Sequence, residues 1–475
     1  MTLNPFIAVV CVVVATILTI ALVRFFFGED TKTQGEQLFH QSAHKDGEPT
    51  SAGDTLRTRR TDTAEDIQIL HKQMLVGAIL TLIVVIPIII HAFAPHCPLG
   101  PLINPWWQAI MITPVMFYSG YPVHVDGWSS IRDRHPNINS LASIGTIAAY
   151  AYGLLICFAG DIFPEPLRTS YFAVVGIVIT LILLARLVSD MYLPAKPAFP
   201  MQMWVDRFSR VFVPVIIAIS MWTFVIWLLF AKQPSLPVAL LTSISVLIIA
   251  CPCALGWSAP LAAVFANENA GKRGITIHTF GSLQIAQHVT DVLYTETVMP
   301  LCQRDIQQLQ RNGVSTSVIN TKDIEGSIEA IGACRQLTTS LGQHPVVAFV
   351  DDGTSDQSIR DAADISFVLQ TSSSAEPRAD VVVTEESGTF VSNLRNLSHA
   401  MMLNIKENLV WVFAFNIIGI PIAAGILYPF TSWLLDPSFA AIAMILSSLA
   451  VLLNSLRLRR YDPSRDLKPH AATNS

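Results

Sequence analysis

Nine stretches of the chain are apolar for about as long as a membrane-spanning helix requires, and polar segments separate them. A bilayer core takes roughly 20 helical residues to cross. The nine stretches are residues 5–27, 74–94, 106–123, 141–159, 170–191, 209–231, 237–257, 406–428 and 434–455. The pattern therefore predicts a polytopic α-helical membrane protein with about nine spans.

The chain ahead of the second span divides into an apolar part and a polar part. Residues 1–27 have no basic residue before the apolar stretch and no small-residue cleavage site after it, so we interpret them as a signal anchor. The alternative is a cleaved secretory signal peptide. Residues 28–73 are mostly polar, and we expect a disordered cytoplasmic linker there.

One long polar segment, residues 258–405, alternates between strand-like and helix-like patterns. The strand-like runs are 291–294, 315–319, 346–350, 365–368 and 380–384, and helix-compatible stretches at 303–311, 326–341 and 358–363 lie between them. This alternation predicts a small α/β, Rossmann-like domain with a parallel sheet. Since ligands bind at the carboxyl ends of such strands, the loops after Tyr294 and Val350 are expected to carry any chemistry.

The remaining segments complete the predicted organisation. Spans two to seven fill residues 74–257, the last two spans fill 406–456, and a basic tail occupies 457–475. Positive charge concentrates on the cytoplasmic side of membrane proteins, so the tail is expected in the cytoplasm. Counting back through nine spans puts the N-terminus outside, and we expect a multi-pass protein of the plasma membrane.

Composition agrees with this picture and narrows it. The chain has 475 residues, of which 52% are hydrophobic and only 14% charged, with a net charge of −5. These values are typical of a protein embedded in a lipid bilayer, and no nucleic-acid partner is predicted. The seven cysteines are scattered and suggest no disulfide framework.

Two of those cysteines stand out, because Cys251 and Cys253 flank Pro252 inside the apolar run 238–257. Proline removes a helical hydrogen bond and opens the helix locally. Positions two residues apart point to nearly opposite faces of a regular helix, but at such a break two thiolates can converge. Cu(I) is the natural cation for sulfur ligands. The alternative is two small buried thiols beside an ordinary kink.

The sequence around this triplet resembles a known family. Leu247-Ile-Ile-Ala-Cys-Pro-Cys-Ala-Leu-Gly256, followed by Ser258-Ala259-Pro260, closely resembles the ion-binding helix of copper-type heavy-metal P-type ATPases. The segment 204–214 resembles the helix that re-enters the membrane after the family's actuator domain, and residues 404–460 resemble its last two spans. The likeness covers about 74–275 and 345–460. It implies an eight-span core, an extra N-terminal anchor and a haloacid dehalogenase-type domain.

The resemblance also implies a metal path. Cys251 and Cys253 would be the primary ligands, with Asn416, Met444 and Ser448 in support. A buried amide in a membrane span is rare and usually functional. Met444 and Ser448 are four residues apart and share a helix face. Taken singly, Met444 is more often a core filler, and the pair Ser447-Ser448 is often simple helix packing.

The phosphorylation motif of the family is altered in this chain. The family carries Asp-Lys-Thr-Gly-Thr after a strand, and here the aligned stretch is Thr295-Glu-Thr-Val-Met299. Thr295 replaces the nucleophilic carboxylate and would need an added base. Glu296 replaces the lysine and reverses the charge where an anion must approach. No catalytic residue is therefore predicted, and ATP use is not expected.

Other parts of the catalytic apparatus are reduced or missing. In the acidic stretch 350–356, Asp352 and Asp356 match the family's hinge motif and would offer carboxylates to Mg²⁺. The alternative is an acidic turn left from an ancestral site. The actuator domain is reduced to the short connector 192–208. The nucleotide-binding domain, expected after Thr297, is missing.

These observations predict a degenerate copper-type P-type ATPase homologue, a pseudoenzyme that binds Cu(I) or Ag(I) in the membrane. Its expected partners are the lipid bilayer and an intact metal-pumping ATPase or a copper chaperone. Two alternatives stay open. One is a working copper-transporting ATPase completed by other subunits, and the other is a regulatory or interaction protein with a vestigial metal site.

Overall fold

The structure, a computed structural model, divides into two compact units. It describes residues 5–27, 52–94, 100–163, 168, 170–192, 200–231, 235–251, 253–336, 345–370, 379–384, 388–431, 434–435 and 437–463. The membrane unit comprises Met1–Met191, Pro200–Trp257 and Trp411–Leu449. The second unit comprises Tyr192–Phe199, Ser258–Val410 and Ala450–Ser475.

The apolar stretches of the sequence form helices. In chain order these are α1 (Pro5–Phe27), α2 (Ala52–Phe93), α3 (Pro105–Pro114), α4 (Tyr121–Arg132), α5 (Ile138–Ala159), α6 (Phe172–Tyr192), α7 (Pro200–Phe230), α8 (Ser235–Ile249) and α9 (Leu255–Gly271). The last two long helices are Phe390–Ala423 and Pro437–Leu456. Among the described residues, six helices are long and apolar enough to cross a membrane. Two further apolar helical segments are shorter: Val10–Phe26, which is part of α1, and Ser235–Ile249, which is α8.

The third predicted span is broken rather than continuous. Helix α3 ends at Pro114, a π-helical turn covers Val115–Ser119, and α4 starts after Gly120. Proline at the end of one segment and glycine before the next explain the break, because each weakens the regular hydrogen-bond ladder. A Cβ on Gly120 would lie 2.5 Å from the Met116 carbonyl oxygen, so the turn requires glycine there.

The predicted linker differs from the structure over part of its length. Helix α2 begins at Ala52, so residues 52–73 are helical rather than disordered. Once a helix has formed in the apolar span, each further residue fixed adds a hydrogen bond without a new nucleation cost, and the helix extends into the polar sequence. Residues 28–51 of the predicted linker lie outside the described residues.

Small residues let the helices of the membrane unit pack closely. A Cβ on Gly153 of α5 would lie 2.6 Å from the Phe172 ring, and one on Gly176 of α6 would lie 2.6 Å from the Thr81 hydroxyl. Thr81 and Thr180 also form a hydrogen bond of 3.2 Å between α2 and α6. Such close approach is the usual basis of helix association in membranes.

The second unit contains a six-stranded sheet with the order β1-β6-β5-β4-β2-β3. Its strands are β1 (Ile275–Ile277), β2 (Val289–Thr295), β3 (Ser315–Ile319), β4 (Val346–Asp351), β5 (Ile365–Leu369) and β6 (Val381–Val383). The helices beside them are α10 (Phe280–Ile285), α11 (Gln303–Arg311), α12 (Ile324–Gln336) and α13 (Gln357–Ala362), followed by α14 (Phe390–Ala423) and α15 (Pro437–Leu456).

The sheet is parallel except at one edge. Strands β2 to β6 pair in parallel, with Tyr294 opposite Val350, whereas β1 pairs antiparallel with β6. Strand β1 has only three residues and was not predicted from the sequence. The parallel strands β4, β5 and β6 are almost completely buried, as expected for a sheet covered on both faces.

Candidate functional site

The membrane unit has a break in one buried span, and the cysteine pair lies at this break. Helix α8 ends at Ile249 and α9 begins at Leu255. Between them the Cys251 amide donates to the Ile248 carbonyl at 3.0 Å, and the Cys253 amide donates to the Cys251 carbonyl at 2.9 Å. Pro252 itself lies outside the described residues.

The two sulfur atoms converge at this break. The Sγ atoms of Cys251 and Cys253 are 3.0 Å apart, and both side chains are buried. On an unbroken helix, positions two residues apart face nearly opposite directions. The local turn therefore gives the membrane unit a pair of neighbouring, buried thiols.

The sulfur pair opens onto a small cleft. Three segments of the membrane unit line it. They are the broken span with Ile249, Cys251, Cys253 and Ala254, helix α14 with Val412, Phe415 and Asn416, and helix α15 with Ala443, Met444 and Ser447. The cleft therefore combines two thiols, a thioether, an amide and a hydroxyl inside an otherwise apolar wall. This set of donors suits a soft monovalent cation.

Asn416 brings a side-chain amide to this cleft. Its side chain is 7% exposed, and its Nδ2 atom has no hydrogen-bond partner among the described residues. An amide N–H group can only donate, so a cation in the cleft would interact with the amide oxygen and would not satisfy this nitrogen. Met444, which is 5% exposed, lines the same cleft and contributes a thioether.

The two adjacent serines of α15 occupy different positions. Ser447 lines the cleft, while Ser448, the serine predicted from the sequence, is not among the lining residues. Both lie close to Met444 on the helix surface, at three and four residues along the chain. Spacing alone could not separate them, because the rotation of α15 towards its neighbours decides which hydroxyl faces the cleft.

The second unit brings together the two loops that were expected to carry chemistry. Strand β2 ends at Thr295, and the adjacent parallel strand β4 ends at Asp351, so their carboxyl ends meet. The Thr295 hydroxyl, which is buried, lies 2.9 Å from the Thr297 hydroxyl. Glu296, between them, is exposed. The last residue of β2 thus carries a hydroxyl rather than a carboxylate.

Asp352 and Asp356 already have protein partners at this edge. The amide and hydroxyl of Thr354 donate to Asp352 at 3.1 and 2.6 Å. Burial alone would raise the pKa of Asp352, but hydrogen bonds from Thr354 and Thr297 outweigh it and lower the pKa. Asp356 caps α13 by accepting from the Ser358 amide at 2.9 Å. That hydrogen bonding, with the Ser358 hydroxyl as first donor, lowers the pKa of Asp356.

The chain is similar to bacterial copper pumps over part of their length. It is 25% identical to Copper-transporting ATPase 2 of Rhizobium meliloti (strain 1021) over 59% of this chain and 51% of that relative. It is 33% identical to the probable copper-transporting ATPase PacS of Synechococcus elongatus over 41% of this chain and 28% of that relative. The chain thus spans about half, or less, of the length of these curated relatives. No family model matches it.

A solved structure shows the same fold. The crystal structure of a zinc-transporting PIB-type ATPase in its E2.Pi state superimposes with a TM-score of 0.61 over 82% of this chain, at 14% sequence identity. Together with the apolar helices, this similarity supports a multi-pass membrane protein. The second unit, with its mostly parallel sheet flanked by helices, has the α/β architecture expected from the sequence.

Proposed function

We propose that this chain binds Cu(I) within the membrane without a cycle of ATP-driven phosphorylation. The chain is homologous to the copper-transporting P-type ATPases. Cys251 and Cys253 are the primary ligands in this proposal, and Asn416 and Met444 complete the site. Ag(I), which has the same charge and softness, would be accepted by the same donors.

The observation that carries the proposal is the convergence of two buried sulfurs, 3.0 Å apart, on a cleft that an amide and a thioether also line. A structural role explains each residue singly, but not their meeting at one break in a span. Asn416 adds an amide side chain, whose oxygen can bind a cation, to the same cleft.

A Cu(I) titration of the purified full chain tests this proposal. Competition with a chromophoric Cu(I) chelator should show a tight site in the wild type. Because even secondary partners of a metal site change affinity by 10–100-fold, the Cys251→Ser/Cys253→Ser variant should lose at least about a hundredfold. Cys157→Ser, which removes a half-buried thiol elsewhere in the membrane unit, is the matched control. Equal binding by all three proteins would mean that the site is vestigial.

The absence of a phosphorylation cycle is the second part of the proposal. Thr295 stands at the end of β2, where the related pumps carry their nucleophilic aspartate, and a threonine cannot form the reactive acyl phosphate. Only residues 193–199 separate α6 from α7, where the related pumps insert an actuator domain. Both features support metal binding uncoupled from ATP.

The proposed orientation follows from charge. The basic residues after α15, including Arg457, Arg459 and Arg460, favour a cytoplasmic C-terminus at the plasma membrane. Reporter fusions at both ends would test it, with an extracellular N-terminus as the expected result. Association with an intact metal pump or a copper chaperone stays a prediction.

A further inference from the structure

The acidic loop of the second unit contains a buried positive charge of its own. Arg360 of α13 is 6% exposed, and its Nε atom donates to Asp351 Oδ2 at 3.1 Å. Asp351 is completely buried at the end of β4. Arginine stays protonated in proteins, so this is an ion pair shielded from solvent, unlike the partly exposed ion pairs elsewhere in the described chain.

The other two nitrogen atoms of the Arg360 guanidinium also bind residues in and next to the loop 351–356. Nη1 donates to Gln357 Oε1 at 3.0 Å, and Nη2 donates to the carbonyl oxygens of Gly353, at 3.1 Å, and Ser355. Gly353 has a φ of +87°, a conformation that side chains with a Cβ rarely adopt. Backbone carbonyls and a carboxylate thus surround one cation, which is the kind of oxygen shell that binds metal ions.

The remaining carboxylates of the loop do not form a magnesium site. Asp352 is held by Thr354 and Thr297, and Asp356 caps α13. Among the described residues, no group of three or more His, Cys, Asp or Glu side chains is arranged to hold a metal ion. Asp351 Oδ1 and Ser355 Oγ are buried without a partner, but a divalent ion placed on them would face the Arg360 charge.

We propose that Arg360 is an internal cation that fixes the loop 351–356, so that this domain is ordered without Mg²⁺ and does not bind it. The residues present therefore disagree with a magnesium-dependent role for Asp352 and Asp356. This inference concerns the second unit alone. It stands whether or not the sulfur pair binds copper.

A first experiment uses the wild-type full chain and Mn²⁺ as a paramagnetic probe for a divalent-ion site. Addition of the protein should leave the electron paramagnetic resonance signal of free Mn²⁺ unchanged, and Mg²⁺ should not shift the thermal unfolding midpoint. A Mn²⁺ site in the wild type that is lost in Asp352→Asn would overturn the proposal.

The second experiment removes the internal cation. Arg360→Met keeps much of the side-chain volume but frees the Asp351 carboxylate, so this variant should bind Mn²⁺ and reduce the free-ion signal that the wild type leaves unchanged. Arg335→Met is the matched control, because Arg335 pairs with Asp364 at 2.7 Å in the same unit but is exposed. Equal Mn²⁺ binding by the two variants would contradict the proposal.

A conservative variant covers the case in which Arg360→Met does not fold. Arg360→Lys keeps the charge but loses the planar fork that contacts several acceptors at once. It should stay unable to bind Mn²⁺, while proteolysis within the loop 351–356 becomes faster than in the wild type. Mn²⁺ binding by Arg360→Lys would show that the charge of residue 360 does not exclude the divalent ion, and would refute the proposal.

Discussion

At the scale of single residues, the membrane site depends on a short break rather than on a long arrangement of ligands. Cys251 and Cys253 are only two residues apart, yet their sulfurs lie 3.0 Å from each other, because α8 ends at Ile249 and α9 begins only at Leu255. The sequence predicted this convergence from proline alone. The family resemblance also named Asn416 and Met444, which line the cleft, but it named Ser448 where Ser447 is the lining serine.

The adjacent serines of α15 give a residue-scale prediction. Ser447 lines the cleft and Ser448 does not, so Ser447→Ala should weaken Cu(I) binding by roughly fivefold, about the effect of one hydrogen-bonding group. Ser448→Ala should leave the affinity unchanged. The same chelator competition measures both variants. A larger loss of Cu(I) affinity in Ser448→Ala than in Ser447→Ala would mean that Ser448, rather than Ser447, faces the cleft.

At the scale of helices, Gly153 permits a close contact between α5 and α6 whose contribution to stability can be tested. A Cβ there would meet the ring of Phe172, which is fully buried, at 2.6 Å. Gly153→Ala should therefore destabilise the membrane unit by about 1–3 kcal/mol, as overpacking usually does. Thermal unfolding in detergent would measure it. Gly160→Ala, with no atom within 4 Å of the new Cβ, should unfold near the wild-type temperature.

Most of the helices and strands could be predicted from the sequence. Hydrophobic length predicted the long helices, and alternation predicted the strands from β2 to β6 within one or two residues. The antiparallel strand β1 was missed because three residues, Ile275–Ile277, carry too little pattern. The extension of α2 to Ala52 was also missed, since polar composition does not distinguish a disordered linker from a helix continued out of a membrane span.

Helix α14 begins on a buried carboxylate that sequence patterns did not reveal. Asp305 of α11 accepts hydrogen bonds from the Val391 and Ser392 amides at 2.9 and 3.0 Å, and also from the Ser392 hydroxyl. Burial raises the pKa of Asp305 to about 6, and these hydrogen bonds offset the effect only in part. The protonated form is thus favoured by folding. Its stabilising contribution is complete below the unfolded pKa of about 3.9 and is lost as the pH rises through 6.

Substitution of Asp305 should therefore change the pH dependence of stability. Between pH 7 and pH 4 the wild type should gain on the order of 2–3 kcal/mol relative to Asp305→Asn, which does not titrate. Unfolding midpoints of the full chain, measured at several pH values, should differ increasingly between the wild type and Asp305→Asn as the pH falls. Asp356→Asn is the control, because the pKa of Asp356 is below its usual value and it stays ionised through most of this window. Parallel curves for wild type and Asp305→Asn would contradict this assignment.

At the scale of the whole molecule, the two units show different degrees of change from the pumps that the chain resembles. The membrane unit keeps a sulfur pair, an amide and a thioether around one cleft. The second unit keeps the sheet, but Thr295 ends β2, and a buried arginine occupies the acidic loop. A changed loop at the end of β2 beside a cleft that combines these donors supports the proposed metal binding rather than ATP-driven transport.

Restoring the phosphorylation motif should accordingly fail to restore phosphorylation. Thr295→Asp/Glu296→Lys returns a carboxylate and a lysine to the end of β2, but the Arg360 guanidinium still occupies the acidic loop that would supply the metal ion. Incubation of the wild type and of this variant with radiolabelled ATP and Mg²⁺ should leave both chains without an acid-stable, hydroxylamine-sensitive label. An intact copper pump assayed in parallel provides the positive control. A label on the wild type would overturn the proposed loss of phosphorylation, whereas a label on the variant alone would show that Thr295 and Glu296 are the only barriers to it.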